Sequence, residues 1–174
     1  DTDLRWLILT NLARLGVVGD DTIDAELARD ATARGAEQAA GARAAQPTPA
    51  AKAAAWLLAT EDDDVPNETH FQVCTRFWQF EQDEVLRPYV QRYLDVAKSI
   101  SEGTNGWADR SSAIKQHVLG RLFPSPLADR ATLQQVDQWL QSTPLSDSVL
   151  RQVTEHRDDA ERALRCQEAA RAQS

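Results

Sequence analysis

The chain has 174 residues and a formal net charge of −8, and 42% of its residues are hydrophobic. A chain of this length can bury a sizeable core, so we expect one domain over residues 1–174. The acidic balance disfavours nucleic acids and anionic membrane surfaces as partners, because binding to phosphates needs a basic face. No run of 18 apolar residues occurs in the sequence, so no membrane-spanning helix is predicted.

Apolar residues at spacings of three and four predict helices along almost the whole chain. The first helix is expected over about residues 3–15, and a second, rich in alanine, from Asp20 to near Ala45. Because its apolar face is thin, this second helix should pack closely against its neighbours or lie at an edge. A third helix is predicted to begin at Thr48 and Pro49, since threonine caps helices and proline is favoured at their first position.

The acidic loop 61–64 precedes a fourth helix, which is predicted to begin at Pro66 with Asn67 as its capping residue. A fifth helix follows over about residues 85–97, with Pro88 in its first turns or at a short break. Apolar spacing predicts the buried face of the fourth helix, formed by Phe71, Cys74, Phe77 and Trp78. These two helices should therefore be anchored in the core by aromatic side chains.

Residues 102–106 are predicted to be a loop, and a sixth helix with Ser111 as a possible cap is expected over about residues 107–122. A seventh helix is expected around residues 133–140, and a last one from about 145 to 170. The connections are short, which is typical of neighbouring helices that run antiparallel. The sequence therefore predicts an all-α fold of about eight antiparallel helices in a HEAT-like helical-repeat arrangement, an α-solenoid.

No catalytic residue and no metal-binding residue is predicted in this chain. A zinc-peptidase helix needs two histidines one turn apart, and none of His70, His117 and His156 has such a partner. Arginines at spacings of three and four surround Glu155, His156 and Asp159. These arginines favour a solvated face with ion pairs over a metal site at that cluster.

Both cysteines, Cys74 and Cys166, fall in helical patterns near apolar residues, so each is expected to be a free, buried thiol. A disulfide between them is possible, but no feature of the sequence supports it. Because a thiol inside an apolar face stays protonated, Cys74 is not expected to be a nucleophile.

Two arginines are candidate peptide-contacting residues. A guanidinium on a concave helical surface can hold a peptide carboxylate through two parallel hydrogen bonds. Arg76 directly precedes the aromatic pair at the end of the fourth helix, and Arg110 opens the sixth helix. The alternative for each is a structural ion pair or an ordinary surface position.

Eight short segments, in order along the chain, resemble the C-terminal helical domain of bacterial M1-family zinc aminopeptidases of the aminopeptidase N type. The segments are 3–6 (DLRW), 24–30 (DAELARD), 67–69 (NET), 77–79 (FWQ), 86–93 (LRPYVQRY), 121–124 (RLFP), 137–140 (DQWL) and 157–165 (RDDAERALR). The resemblance spans nearly the whole chain and covers the last half of such a domain. The family's zinc helix and its Gly-Ala-Met-Glu-Asn substrate motif are missing here, so no catalytic residue can be carried over.

The resemblance implies a helical, HEAT-like domain that shapes and closes the chamber over a zinc active site. The parent chain would be a metalloprotease, a hydrolase that removes N-terminal residues from peptides with one zinc ion. Its catalytic domain and its peptide substrates would then be the partners of this chain, and the location would be cytoplasmic. The chain itself is expected to hold no cofactor and to be inactive alone.

An alternative function is that of a stand-alone helical-repeat scaffold that binds another protein. If instead the chain is part of a larger stack, its first helix should expose apolar area that a neighbour covers in the parent. We expect this patch at Leu4, Trp6, Leu7 and Ile8, and we expect the chain to self-associate through its N-terminal helices.

Overall fold

The computed structural model describes residues 1–172, which contain ten α-helices and no strand, so the predicted all-α class is confirmed. A turn of π-helix at His117–Arg121 directly follows α8, and a short 3₁₀ turn spans Ser125–Leu127. The helices are α1 (Thr2–Arg14), α2 (Asp20–Arg29), α3 (Ala33–Ala45), α4 (Pro49–Thr60), α5 (Asn67–Phe77), α6 (Asp83–Leu86), α7 (Pro88–Glu102), α8 (Ser112–Gln116), α9 (Arg130–Ser142) and α10 (Asp147–Ala172).

The helices stack in two rows. One row runs from α1 through α3 and α5 to the π turn and α10, and the other contains α4, α6 with α7, and α9. The most extensive contacts join α3 to α5 and α1 to α3, so from α1 to α5 the alternate helices of the first row are closer neighbours than sequential ones. Such stacking is typical of helical repeats, in which each unit contacts its neighbours along the row. Over residues 1–172, none of the helices combines the length and the apolar character that a membrane crossing requires.

The prediction of one helix from Asp20 to Ala45 is wrong, because the chain breaks between α2 and α3. Thr32 caps α3 by accepting a hydrogen bond from the backbone N–H of Gly35. A Cβ atom on Gly35 would lie 2.0 Å from the carbonyl oxygen of Asp30, so the tight turn needs glycine at this position. The indole N–H of Trp6 also donates to Oδ2 of Asp30 at 2.7 Å. These contacts fix α2 and α3 as two helices.

The alanine-rich helix α3 packs closely at the centre of its row, as its thin apolar face allowed. A Cβ atom on Gly41 would lie 3.3 Å from Cγ of Arg76 in α5. Small residues thus let the backbones of α3 and α5 approach one another. The buried small residues of α3 are Gly35, Ala39, Gly41, Ala42, Ala44 and Ala45.

Two hydrophobic clusters form the interior. The smaller lies between α1, α2 and α3 and consists of Trp6, Leu9, Ala13, Ile23, Ala39 and Ala42. The larger fills the space between α4 and α10, with seven buried aromatic rings, those of Trp56, Phe77, Trp78, Tyr89, Tyr93, Trp107 and Phe123. Trp78 is buried as predicted, and its indole N–H donates to the carbonyl oxygen of Leu122 at 2.7 Å.

The first helix exposes an apolar face, but Trp6 is not part of it. Leu4, Leu7 and Ile8 each expose about half of their surface, as expected. Trp6 instead points inward and is only 2% exposed, so the prediction for this residue is wrong. The reason is the partner at Asp30, which gives the indole N–H a hydrogen bond inside the fold.

Other local predictions need smaller corrections. Of the two positions expected for Pro88, the short break is confirmed, because the chain is interrupted at Arg87 and Pro88 starts α7 as a separate helix. Asn67 is the first residue of α5 and makes no capping hydrogen bond, so its predicted capping role is wrong. Phe71 is half-buried rather than fully buried. Ser111 does cap α8 by accepting from the backbone N–H of Ile114, as predicted.

Candidate functional site

Arg110, a predicted peptide-contacting residue, lies in the segment between α7 and α8 and forms a structural ion pair. Its Nε donates to Oδ1 of Asp63 at 2.7 Å, and its Nη2 lies 2.6 Å from the same oxygen. The guanidinium carbon sits 4.3 Å from the centroid of the Trp107 ring. The side chain is 8% exposed, and its Nη1 has no hydrogen-bond partner among the described residues. Arg110 therefore ties the acidic loop after α4 to the turn after α7 and keeps one donor free.

Arg76, the other candidate, lies in the contact between α3 and α5. Its aliphatic stem packs over Gly41, and the residue is half-buried. Within residues 1–172, no carboxylate lies within ion-pair distance of this guanidinium. Its charge is therefore not neutralised by a neighbour in this part of the chain.

The structure does not bring the two arginines into one site. Arg110 lines a shallow cavity together with Asn67, where α5 begins, whereas Arg76 lies one residue before α5 ends. The helix rises by about 1.5 Å per residue, so these two ends are about 14 Å apart. The two arginines therefore lie near opposite ends of α5.

A pair of histidines, the buried His70 and the half-buried His117, joins α5 to the π turn, and no sequence pattern indicates it. Nδ1 of His70 lies 3.2 Å from Nδ1 of His117, and Nε2 of His70 lies 2.9 Å from the carbonyl oxygen of Ala59. Because a carbonyl only accepts, Nε2 of His70 carries its hydrogen and His117 donates to His70. Burial lowers the pKa of His70 and that of His117, which keeps the pair neutral near pH 7.

The two cysteines differ in their surroundings. Burial raises the pKa of the Cys74 thiol, whose Sγ lies 3.6 Å from Nδ1 of His70, so the thiolate does not form near neutral pH. Cys166 is exposed on α10, which corrects the expectation that it is buried. The two thiols are not joined, so both cysteines are free as expected.

Lys52 belongs to α4, and its buried side chain binds the carboxyl ends of two neighbouring helices. Its Nζ donates to the carbonyl oxygens of Ala44 at 2.8 Å and Phe77 at 2.7 Å. Both carbonyls belong to the last turn of a helix, α3 or α5, and have no partner within it. Burial lowers the pKa of Lys52 to about 7. A neutral amine still has two N–H donors, so both hydrogen bonds persist when the proton is lost.

Gln82 makes the equivalent connection between α1 and α3. Its Nε2 donates to the carbonyl oxygens of Arg14 at 2.8 Å and Ala45 at 2.9 Å, the last residues of those helices. Lys52 was recognisable as the lone charge in an apolar helix, whereas Gln82 lies in a loop with no distinguishing pattern. Together, Lys52 and Gln82 connect the carboxyl ends of α1, α3 and α5.

The cluster at Glu155, His156 and Asp159 lies on a face with ion pairs. Arg157 binds both carboxylate oxygens of Asp137, at 2.7 Å each, and also contacts Glu161. Asp159 pairs with Arg162, while the His156 ring packs on that of Phe123. Residues 1–172 contain no group of three or more histidine, cysteine and acidic side chains placed to hold a metal ion.

Comparisons with known proteins agree with the all-helical architecture. A family model described as the ERAP1-like C-terminal domain matches residues 1–162. Aminopeptidase N of Streptomyces lividans is 41% identical over 169 residues, which is 97% of this chain and 19% of that relative. The chain thus spans about a fifth of the length of the curated relative that it matches.

Proposed function

The chain belongs to the ERAP1-like C-terminal domain family, and we propose that it is the non-catalytic C-terminal portion of a zinc aminopeptidase. In this role it shapes and closes the chamber over the active site of the parent enzyme. The parent removes N-terminal residues from peptides, and the zinc ion belongs to its catalytic domain. The whole of residues 1–174 acts as one domain of that parent.

One observation carries this proposal: 41% identity to an aminopeptidase N over 97% of the chain. An identity this high, extended over nearly every helix, supports a common role for the domain. The helical stack is also suited to enclosing a chamber, because stacked helices build extended concave surfaces. The alternative function is that of a free-standing scaffold that binds another protein, and zinc content and peptidase activity distinguish the two functions.

The experiment compares this chain with the longest reading frame that contains it. Both proteins are purified, their zinc content is measured, and their hydrolysis of an aminoacyl-anilide is followed with and without a chelator. We expect activity and one zinc per molecule only in the longer protein. Turnover by this chain alone that a chelator abolishes would overturn the proposal. A longer frame without zinc or activity would favour the scaffold.

The exposed face of α1 is the surface through which we propose that this domain contacts the rest of its parent. Leu4, Leu7 and Ile8 form an apolar face, and contiguous exposed apolar area is typical of interaction surfaces. In the isolated chain this face would drive self-association at high concentration. Sedimentation of the chain and of Leu7→Glu tests this, with Leu150→Glu on α10 as the control, since Leu150 is also exposed. A monomer at all concentrations would contradict self-association, and association unchanged by Leu7→Glu would contradict the role of the α1 face.

Arg76 and Arg110 remain the residues that we propose as peptide contacts in the parent. Arg76 has no ion-pair partner in residues 1–172, and Arg110 keeps Nη1 unpaired. Replacing each with glutamine in the parent should raise KM for long peptides more than for an aminoacyl-anilide. An equal effect on both substrates would assign these arginines a structural role.

A cytoplasmic location is also proposed for the protein. It is supported by the two free cysteines, because disulfides are rare in the reducing cytoplasm.

A further inference from the structure

A cavity of about 580 Å³ opens beside the segment that joins α5 to α6. Pro47 and Pro49 line one side of it, and the ring of Tyr89 lines another. The remaining wall is formed by the start of α6 and by Gln82. None of the residues discussed above as peptide contacts lines this cavity, so it is separate from both arginine positions.

Gln82 lines this cavity and has a buried, unpaired hydrogen-bond acceptor. The residue is 6% exposed, and its Nε2 donates to the carbonyl oxygens of Arg14 and Ala45. These two acceptors fix the orientation of the amide, because the opposite orientation would place its oxygen against two carbonyl oxygens. Its Oε1 then accepts no hydrogen bond within residues 1–172. A buried acceptor without a donor is costly, so a ligand with an N–H group at this position would be stabilised.

The charges around the cavity are mostly negative. Glu81, Asp83 and Glu84 line it, against the single guanidinium of Arg92. Arg92 is already engaged, because its guanidinium carbon lies 4.8 Å from the centroid of the Tyr89 ring. Glu81 is 82% exposed in its side chain and lies no closer than 3.9 Å to its one basic neighbour, Arg14. Asp83 also has a basic neighbour, because its Oδ2 lies 4.0 Å from Nη2 of Arg87, and both of these side chains are more than half exposed. Such long, exposed ion pairs are weak, so the carboxylates can still attract a further cation.

The backbone holds Glu81 in an unusual conformation. Its φ of 65° lies in the left-handed region, which residues other than glycine rarely adopt. Such conformations cost free energy and are concentrated at binding sites, where the surrounding structure maintains them. Here the conformation belongs to the residue directly before Gln82, so the unusual backbone and the unpaired acceptor occur in the same turn.

We propose that this cavity binds a lysine or arginine side chain of a peptide or protein segment. The cation satisfies the carboxylates of Glu81, Asp83 and Glu84, and one of its N–H groups donates to Oε1 of Gln82. The prolines and the Tyr89 ring contact the aliphatic stem, as long basic side chains require. This site follows from the geometry of the chain and does not depend on the proposed aminopeptidase.

The probe is a capped pentapeptide, acetyl-Gly-Gly-Arg-Gly-Gly-amide, titrated into the 174-residue chain and followed by NMR. We expect the side-chain amide resonances of Gln82 to shift as the peptide binds. The same peptide with citrulline in place of arginine has nearly the same shape but no charge, and should bind much more weakly. Equal binding of the two peptides, or binding that leaves the Gln82 amide unchanged, would overturn the proposal.

Two double variants, each of which removes two negative charges, distinguish attraction by the cavity carboxylates from attraction by the net charge of the chain. Asp83→Asn with Glu84→Gln should weaken binding on the order of fivefold, as expected for exposed charges. Asp64→Asn with Glu155→Gln lies outside the cavity lining and should leave the affinity unchanged. An equal loss in both variants would mean non-specific attraction to an acidic surface. Spermidine binding as tight as that of the arginine peptide would refute a peptide side chain as the ligand.

Discussion

Helices α1 to α3 meet around a cluster of six buried residues, three of them alanines, whereas α4 to α10 enclose a large cluster rich in aromatic rings. In the first region, polar contacts accompany the small core. Nε of Arg5 donates to Glu26 at 2.7 Å, and Nε2 of Gln46 donates to Asp20 at 2.7 Å. In the second region, rings contact rings, as where Trp56 lies 5.2 Å from Tyr89 between centroids.

Because of this difference, the two regions should be sensitive to different kinds of substitution. A large core gains its stability from buried apolar area, so truncating a ring there removes many contacts. A core of small residues depends on the close approach of backbones, so adding a methyl group should disturb it more than its size suggests.

Trp78→Ala should lower the free energy of unfolding by about 3–5 kcal/mol. The side chain is 6% exposed, and its removal leaves the carbonyl oxygen of Leu122 without a donor. Trp6→Ala, in the small cluster, should cost less, because fewer large side chains surround the ring it removes. Urea unfolding of both variants gives the two values. Equal losses would mean that the two clusters do not differ in the proposed way.

Gly35→Ala should destabilise the chain by about 1–3 kcal/mol, although it adds only one methyl group. The new Cβ would lie 2.0 Å from the carbonyl oxygen of Asp30, and this backbone atom cannot move without opening the turn between α2 and α3. Gly19→Ala is the matched control, since a Cβ there meets no heavy atom within 4 Å. If both variants were equally stable, the break between α2 and α3 would not depend on the close approach at Gly35.

The stability of the chain should rise by about 1 kcal/mol per pH unit between pH 7 and 9 because of Lys52. The folded pKa is about 7 and the ordinary value is 10.5, so in this range the unfolded chain holds a proton that the folded chain lacks. Raising the pH therefore favours folding. His70 and His117, whose pKa values are lowered from 6.5, act mainly below this window. Cys74, with a pKa raised from 9.0, begins to oppose the trend as the pH approaches 9 and does so fully above it.

The measurement is the free energy of unfolding against pH for the chain and for Lys52→Met. The variant should be less stable, because the carbonyl oxygens of Ala44 and Phe77 lose their donor, and its slope between pH 7 and 9 should disappear. Lys98→Met, which removes an exposed lysine, should keep the slope. An unchanged slope in the Lys52 variant would show that this amine is charged in the folded chain.

Much of the helical arrangement is predictable because the relevant signals are local. The start of α4 at Pro49 and the end of α7 at Gly103, which has a φ of 66°, each depend on residues within one turn. The break between α2 and α3 could not be predicted in this way. It depends on Trp6, which contacts Asp30 across 24 residues of sequence, and on the space available at Gly35.

The candidate sites were less accessible to sequence reasoning. Arg110 is predicted from the sequence as a peptide contact, but its ion pair with Asp63 spans 47 residues and has no signature in the local pattern. The unpaired oxygen of Gln82 depends on the positions of two helix ends, those of α1 and α3, which are brought together only by the fold. Spacing along a helix predicts which face is buried, whereas it gives no information on which helix ends meet.

Cys74 is buried and Cys166 is exposed, so the reactivity of the two thiols can report on local opening of the fold. A thiol reagent added to the native protein should modify Cys166 rapidly, since it is exposed, and Cys74 only when the large cluster transiently opens around it. The rate of the slow modification then measures the free energy of that opening without any introduced label. The buried cysteine thus gives access to rare fluctuations of the domain under the conditions in which it is folded.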